Sequence, residues 1–194
     1  MTWPTGSRNP PQLDLPGSSS CATNSTPTTL LQQLDPNFAD FLNSLNAHGV
    51  EYLVIGGYAV GYHGFVRATG DLDIFVRRSQ PNVENLLTAF KDFGCDSPEL
   101  TTHLLLEAGR IVRLGVPPLR LEVMNEISGV SFDQCYPHRV KETIAGVKVN
   151  FMDLENLLRN KQAAARPKDL SDVAALSHHS PGRDAFHRVP SPDP

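Results

Sequence analysis

Two aspartates separated by one residue are the part of the chain best suited to chemistry. Asp71 and Asp73 lie in the segment Asp71–Val76, which reads as a strand. Side chains two apart in a strand point the same way, so the carboxylates share one face and Leu72 and Ile74 the other. Like charges about 7 Å apart repel each other, and hard carboxylate oxygens attract a divalent ion such as Mg²⁺ or Mn²⁺. The spacing therefore predicts a metal site, with a solvated strand end as the alternative.

A pair of glycines precedes these aspartates. Gly56 and Gly57 end a short apolar stretch, Tyr52–Ile55, which predicts a buried strand, and a brief helix is expected at 58–63. Glycine lets the chain turn sharply and lets backbone amides approach phosphate oxygens closely. The pair indicates a phosphate-binding turn beside the metal site, with a tight turn that binds nothing as the alternative.

A third carboxylate is offered by Glu122. It lies in Leu119–Met124, where apolar residues alternate with polar ones, as in a half-buried strand. If this strand pairs beside the aspartates, Glu122 can reach the same ion and act as a base for the attacking group. The alternative is a surface ion pair with Arg120 of the same face. Glu126, past the strand end, is a weaker candidate.

Hydrophobic periodicity and turn residues predict a mixed α/β (α+β) domain around these strands. The further predicted elements are helices at 36–48 and 81–93, a hairpin of 103–106 with 111–114, a hairpin of 141–143 with 147–151, a helix after Asp153 and a helix from Pro167.

The composition of the chain indicates where the domain begins and ends and where in the cell the protein is expected. Residues 1–28 are rich in Pro, Ser and Thr and predict a disordered leader, 29–178 form the domain, and 179–194 predict a disordered tail. The net charge of −4 gives no general attraction to nucleic acid. Three widely spaced cysteines predict neither a disulfide framework nor a zinc site, which favours a cytoplasmic location. No apolar run is long enough to predict a membrane span.

Four stretches together resemble a known family. Residues 55–60 (IGGYAV), 67–73 (RATGDLD), 121–123 (LEV) and 153–172 are similar to the minimal nucleotidyltransferases of the DNA polymerase β-like superfamily. The last stretch is also similar to AbiEii-type toxins of toxin–antitoxin systems. The resemblance covers about residues 37–177, and the combination is far more specific than any single piece.

The resemblance implies a mixed sheet flanked by helices, with further helices at the C-terminus. It also implies transfer of a nucleoside monophosphate from an NTP to a hydroxyl of an RNA or protein acceptor, with Mg²⁺ or Mn²⁺ as cofactor and pyrophosphate released. A toxin role, with an antitoxin as partner, is one form that this activity takes. The implied catalytic and metal-binding residues are Asp71, Asp73 and Glu122, and the implied nucleotide-binding residues are Gly56, Gly57, Arg67, Thr69, Lys161 and Lys168.

Several of these residues have a second interpretation. Arg67 can instead hold the motif loop together, and Lys168 can belong to a charged helix start with intrahelical pairs. Glu122 stands where many relatives carry aspartate, and Tyr58 stands where many active transferases carry serine. These departures favour an alternative function, a catalytically inactive nucleotidyltransferase-fold module that binds or regulates.

Overall fold

The centre of the fold is a short strand in which every residue is buried. This strand is β1 (Tyr52–Ile55). The structure is a computed structural model and describes residues 34–116 and 118–178. The predicted disordered leader and tail lie outside the described residues.

The other strands form one six-stranded mixed sheet with β1, in the order β3-β4-β2-β1-β6-β5. They are β2 (Asp71–Val76), β3 (Ile111–Val116), β4 (Leu119–Met124), β5 (Val140–Ile144) and β6 (Val147–Phe151). Strand β2 runs antiparallel to β1 and parallel to β4, and β1 runs parallel to β6. The predicted mixed α/β fold class is therefore confirmed.

Helices pack against this sheet and follow it. They are α1 (Pro36–Ala47), α2 (Gly56–Tyr62), α3 (Gln80–Asp92), α4 (Thr102–Leu106), α5 (Phe132–Cys135), α6 (Leu154–Ala164) and α7 (Pro167–His178). The first begins where Asp35 accepts a hydrogen bond from the backbone N–H of Asn37, 2.9 Å away. Its apolar residues at helical spacing, such as Phe38, Phe41 and Leu45, are fully buried.

One predicted element is wrong. The segment expected to be the first strand of a hairpin, 103–106, is the short helix α4. The hydroxyl oxygen of Thr101 accepts a hydrogen bond from the N–H of Leu104 and caps this helix, and Leu105 is buried. Strand β3 pairs instead with β4, its next neighbour in the chain.

The two terminal helices pack against each other. Asp153 caps α6 by accepting a hydrogen bond from the N–H of Asn156, and Pro167 begins α7. Between them Ala165 adopts a left-handed conformation with φ of 51°, which reverses the chain. Both predicted C-terminal helices are confirmed.

Candidate active site

The parallel pairing of β2 with β4 brings the three predicted acidic residues together. The register sets Asp73 directly opposite Glu122 and Asp71 opposite Arg120. Directly opposite residues of adjacent strands point to the same side of the sheet, so all three carboxylates lie on one face. The predicted pairing of these strands is confirmed, while the catalytic and metal-binding roles stay predictions.

Gly56 lies directly against the carboxylate of Asp73. A Cβ atom built on Gly56 would come within 1.9 Å of Asp73 Oδ2, and the residue has a φ of 61°. An alanine here would have both a steric clash and an unfavourable backbone conformation. The first glycine of the pair is therefore required by its contact with the acidic residue, whether or not it also contacts phosphate.

Thr69 connects the second glycine to the first aspartate. A Cβ atom on Gly57 would lie 2.7 Å from the hydroxyl oxygen of Thr69. That hydroxyl donates to the carbonyl oxygen of Asp71 over 3.3 Å and accepts from its N–H over 3.4 Å. Both contacts are long, so Thr69 orients the start of β2 but binds it weakly.

The two aspartates have opposite electrostatic environments although they are two residues apart. Burial, followed by the neighbouring charges of Glu122 and Asp71, raises the pKa of Asp73 to about 6. Hydrogen bonds from Arg120 hold the pKa of Asp71 below its ordinary value. Asp73 therefore lies where negative charge is unfavourable, which is the environment that a bound cation would relieve.

Sequence reasoning named Arg120 only as a possible partner of Glu122 and missed its main contact, which is with Asp71. Its Nε and Nη2 donate to the two carboxylate oxygens of Asp71 over 3.0 and 2.9 Å. Nη2 also lies 3.7 Å from Glu122 Oε1. The alternating pattern of β4 places Arg120 on the face of Glu122, but only the register with β2 shows that its main partner is Asp71.

Glu122 has a second basic partner. Arg113 of β3 lies opposite it in the antiparallel pair and donates from Nε to Oε1 over 2.9 Å. The Arg113 side chain is 56% exposed, whereas that of Glu122 is 15% exposed. The acidic face is thus neutralised in part by arginines from β3 and β4.

A divalent metal ion fits the donor chemistry of this face but not its present side-chain positions. Three carboxylates with hard oxygens lie on one face of the sheet, and burial together with their mutual repulsion raises the pKa of Asp73. Among residues 34–116 and 118–178, however, no group of three or more His, Cys, Asp or Glu side chains is placed to hold a metal. The carboxylate of Asp71 is instead paired with Arg120.

A buried ionic network lies between the motif loop and the C-terminal helices. Lys161 Nζ is 2.9 Å from Asp169 Oδ1 and 2.8 Å from Asp172 Oδ2. Arg67 donates to both oxygens of Asp172, over 2.8 and 3.0 Å. The side chains of Lys161, Asp169 and Asp172 are at most 5% exposed.

This network gives Lys161 and Arg67 a structural role. Burial by itself would raise the pKa of Asp172, but hydrogen bonds from Arg67 and Lys161 outweigh it and lower the pKa. The alternative that Arg67 holds the motif loop therefore agrees with its contacts. Its Nη1 is buried without a hydrogen-bond partner in the described part of the chain, so one donor is not used by the network. Nucleotide binding by either residue stays a prediction.

The turn between α6 and α7 supplies positive charge to the acidic face. The charges of Lys161 and Arg166 partly offset the rise in the pKa of Asp73, and the charge of Lys168 adds to the lowering of the pKa of Asp71 by Arg120. Arg166 is 74% exposed and donates from Nε to Asp169 over 2.5 Å. The predicted residue Lys168 and its neighbour Arg166 thus lie where an anionic ligand of the acidic site would feel their charge.

Tyr58, the residue after the glycine pair, is used in packing. Its ring contacts that of Phe38 in α1 edge to face, with centroids 5.8 Å apart. Burial raises the pKa of Tyr58 to about 12.

Comparison with protein families identifies one family that matches most of the chain. The family described as "Nucleotidyl transferase of unknown function (DUF2204)" matches residues 36–185. Comparison with curated proteins finds no match.

No helix within residues 34–116 and 118–178 has the length and apolar character to cross a membrane.

Two solved structures match the chain at low sequence identity. An antigenic nucleotidyltransferase-like protein from Paracoccidioides brasiliensis is 21% identical, with a TM-score of 0.44, over 71% of this chain and 72% of its own. The lincosamide antibiotic adenylyltransferase LnuA, solved with lincomycin bound, is 13% identical, with a TM-score of 0.46, over 74% of this chain and 96% of its own.

Proposed function

The chain belongs to this nucleotidyl transferase family, and on that premise we propose that it moves a nucleoside monophosphate from an NTP to a hydroxyl of an RNA or protein acceptor. The observation that carries the proposal is the register of β2 with β4, which sets Asp73 opposite Glu122 on the face of Asp71. Acidic side chains at this spacing, with family membership, support phosphoryl transfer at this face.

Each acidic residue has a role in the proposed reaction. Asp71, Asp73 and Glu122 would hold Mg²⁺ or Mn²⁺, which, when bound, stabilises the charge that develops on the α-phosphate and on leaving pyrophosphate. The acceptor oxygen forms a bond to the α-phosphorus as the bond to the β-phosphate oxygen breaks. Glu122 accepts the proton of the acceptor hydroxyl, which balances the reaction.

Basic residues near the site would neutralise the triphosphate. Lys168 and Arg166 lie at the turn whose charges already act on Asp71 and Asp73. Both side chains are exposed, so an incoming anion can reach them. Gly56 and Gly57, with Arg67, Thr69 and Lys161, complete the proposed nucleotide-binding set.

The test is transfer of label from an α-³²P-labelled NTP to cellular RNA or protein. The unmodified chain should label an acceptor in the presence of Mg²⁺ or Mn²⁺, and Asp71→Asn should abolish labelling while the far-ultraviolet circular dichroism is retained. Glu126→Gln is the matched control, because Glu126 is exposed and lies beyond the end of β4. Equal labelling by the unmodified chain and Asp71→Asn would reject the assignment.

A catalytically inactive binding module is the second candidate. The observation that favours it is the pairing of Asp71 with Arg120, which leaves no ready-made metal cluster in the described residues. Isothermal titration calorimetry separates the two: metal-dependent NTP binding without turnover on any acceptor supports the binding module.

A toxin role is a further form of the proposed activity and rests on the sequence resemblance alone. Expression should then arrest growth, and Asp73→Ala should restore it. Unaffected growth on expression of the unmodified chain would count against this role and against an antitoxin partner.

A further inference from the structure

Arg120 occupies the position where a cation would be expected. Its guanidinium makes two hydrogen bonds to Asp71, one to each carboxylate oxygen, and lies 3.7 Å from Glu122. A bidentate pair of this kind fixes the orientation of the carboxylate as well as its charge. Asp71 therefore cannot present the same oxygen lone pairs to a metal ion while the pair is intact.

The pair is nevertheless able to open. The side chains of Arg120 and Asp71 are 37% and 38% exposed, so water can solvate both groups after separation. Ion pairs with this exposure contribute little to stability. By contrast Lys161, which is buried with its partners, has no such freedom.

We propose that Arg120 is an internal competitor of the divalent cation, and that its departure from Asp71 is required before Asp71 can act as a metal ligand. The inference rests on the proposed function, because it assigns a regulatory step to the same site. An anionic triphosphate offers the released guanidinium a new bidentate partner. Metal binding is therefore weak without nucleotide and is strengthened when nucleotide takes Arg120 from Asp71.

The test measures Mn²⁺ binding to the full chain without nucleotide, by the loss of the electron paramagnetic resonance signal of free Mn²⁺. Arg120→Lys keeps the positive charge but removes the planar fork, and Arg120→Gln removes both. Both variants should bind Mn²⁺ more tightly than the unmodified chain, by up to about fivefold, because an exposed ion pair can oppose the metal by no more than its own small contribution to stability. Arg113→Gln removes a charge from the same face but leaves the contacts of Asp71 intact, so its effect should be smaller.

Each other result overturns the inference in a recognisable way. Tighter binding by Arg120→Gln alone means that Arg120 acts only through long-range charge, and unchanged binding by both variants means that it does not compete at all.

Adding a nonhydrolysable NTP separates this failure from failure of the proposed function. If the unmodified chain binds Mn²⁺ with the NTP, and Asp73→Asn does not, the function stands without the competitor. If no variant binds Mn²⁺ under either condition, both are rejected.

Discussion

Replacing Asp73 with asparagine should stabilise the protein at neutral pH. Burial raises the pKa of Asp73 from 3.8 to about 6, so the folded state binds the proton more tightly than the unfolded state. The stability linked to this group is fully present below the unfolded pKa and is lost as the pH rises through about 6. At pH about 7.5 this loss amounts to about 3 kcal/mol. Asp73→Asn keeps the shape of the side chain and removes the loss.

The assay is urea unfolding of both proteins in EDTA, at pH about 7.5 and about 4. Asp73→Asn should be more stable than the unmodified chain by up to about 3 kcal/mol at the higher pH, and by less than about 1 kcal/mol at the lower pH. Asp71→Asn is the matched comparison and should have the opposite sign, because hydrogen bonds from Arg120 lower the pKa of Asp71. Since Asp71 is 38% exposed, its effect should be about 0.2–1 kcal/mol. Loss of stability in Asp73→Asn at neutral pH would refute the reasoning.

Four further predictions concern stability. Mg²⁺ with a nonhydrolysable NTP should raise the melting temperature of the unmodified chain more than that of Asp73→Asn, since only the first retains the full ligand set; equal shifts would contradict this. Lys161→Met should destabilise the chain by about 3–5 kcal/mol in urea unfolding, because it leaves two buried carboxylates without the ammonium group that pairs with them. The control is Arg159→Ala, which breaks an exposed pair with Glu155 and should cost about 0.5 kcal/mol or less. Gly56→Ala should lower the melting temperature, since its Cβ would lie 1.9 Å from Asp73 Oδ2; an unchanged value would show that the turn can move. The lowered pKa of Asp172 means that its carboxylate stabilises the folded chain above its unfolded pKa, and that this stability is lost as the pH falls through the folded pKa. The stability of Asp172→Asn should therefore depend less on pH in acid unfolding than that of the unmodified chain.

Much of the sheet could be predicted because its signals are local. The alternation of Asp71–Val76 and of Leu119–Met124 predicted β2 and β4 with their observed ends. The segment 103–106 was ambiguous, because a short apolar run fits either a helix or a strand. The cap hydrogen bond to Thr101 Oγ1 decided it in favour of a helix.

The electrostatic partners could not be predicted because they depend on contacts between distant segments. Arg120 meets Asp71 only through the parallel register of strands that are separated by α3, α4 and β3. The family resemblance implied Lys161 as a nucleotide-binding residue, and a lysine on a helix is normally solvated. Its burial follows from the packing of α6 against α7, which places Asp169 and Asp172 around its ammonium group.

The most direct test of the account is a crystal structure of the chain with Mn²⁺ and a nonhydrolysable NTP, with the metal located by its anomalous scattering. Mn²⁺ should be bound by Asp71, Asp73 and Glu122, and Arg120 should have moved from Asp71 towards the triphosphate. Nucleotide bound elsewhere, or Asp71 still paired with Arg120 and no metal between the carboxylates, would contradict it.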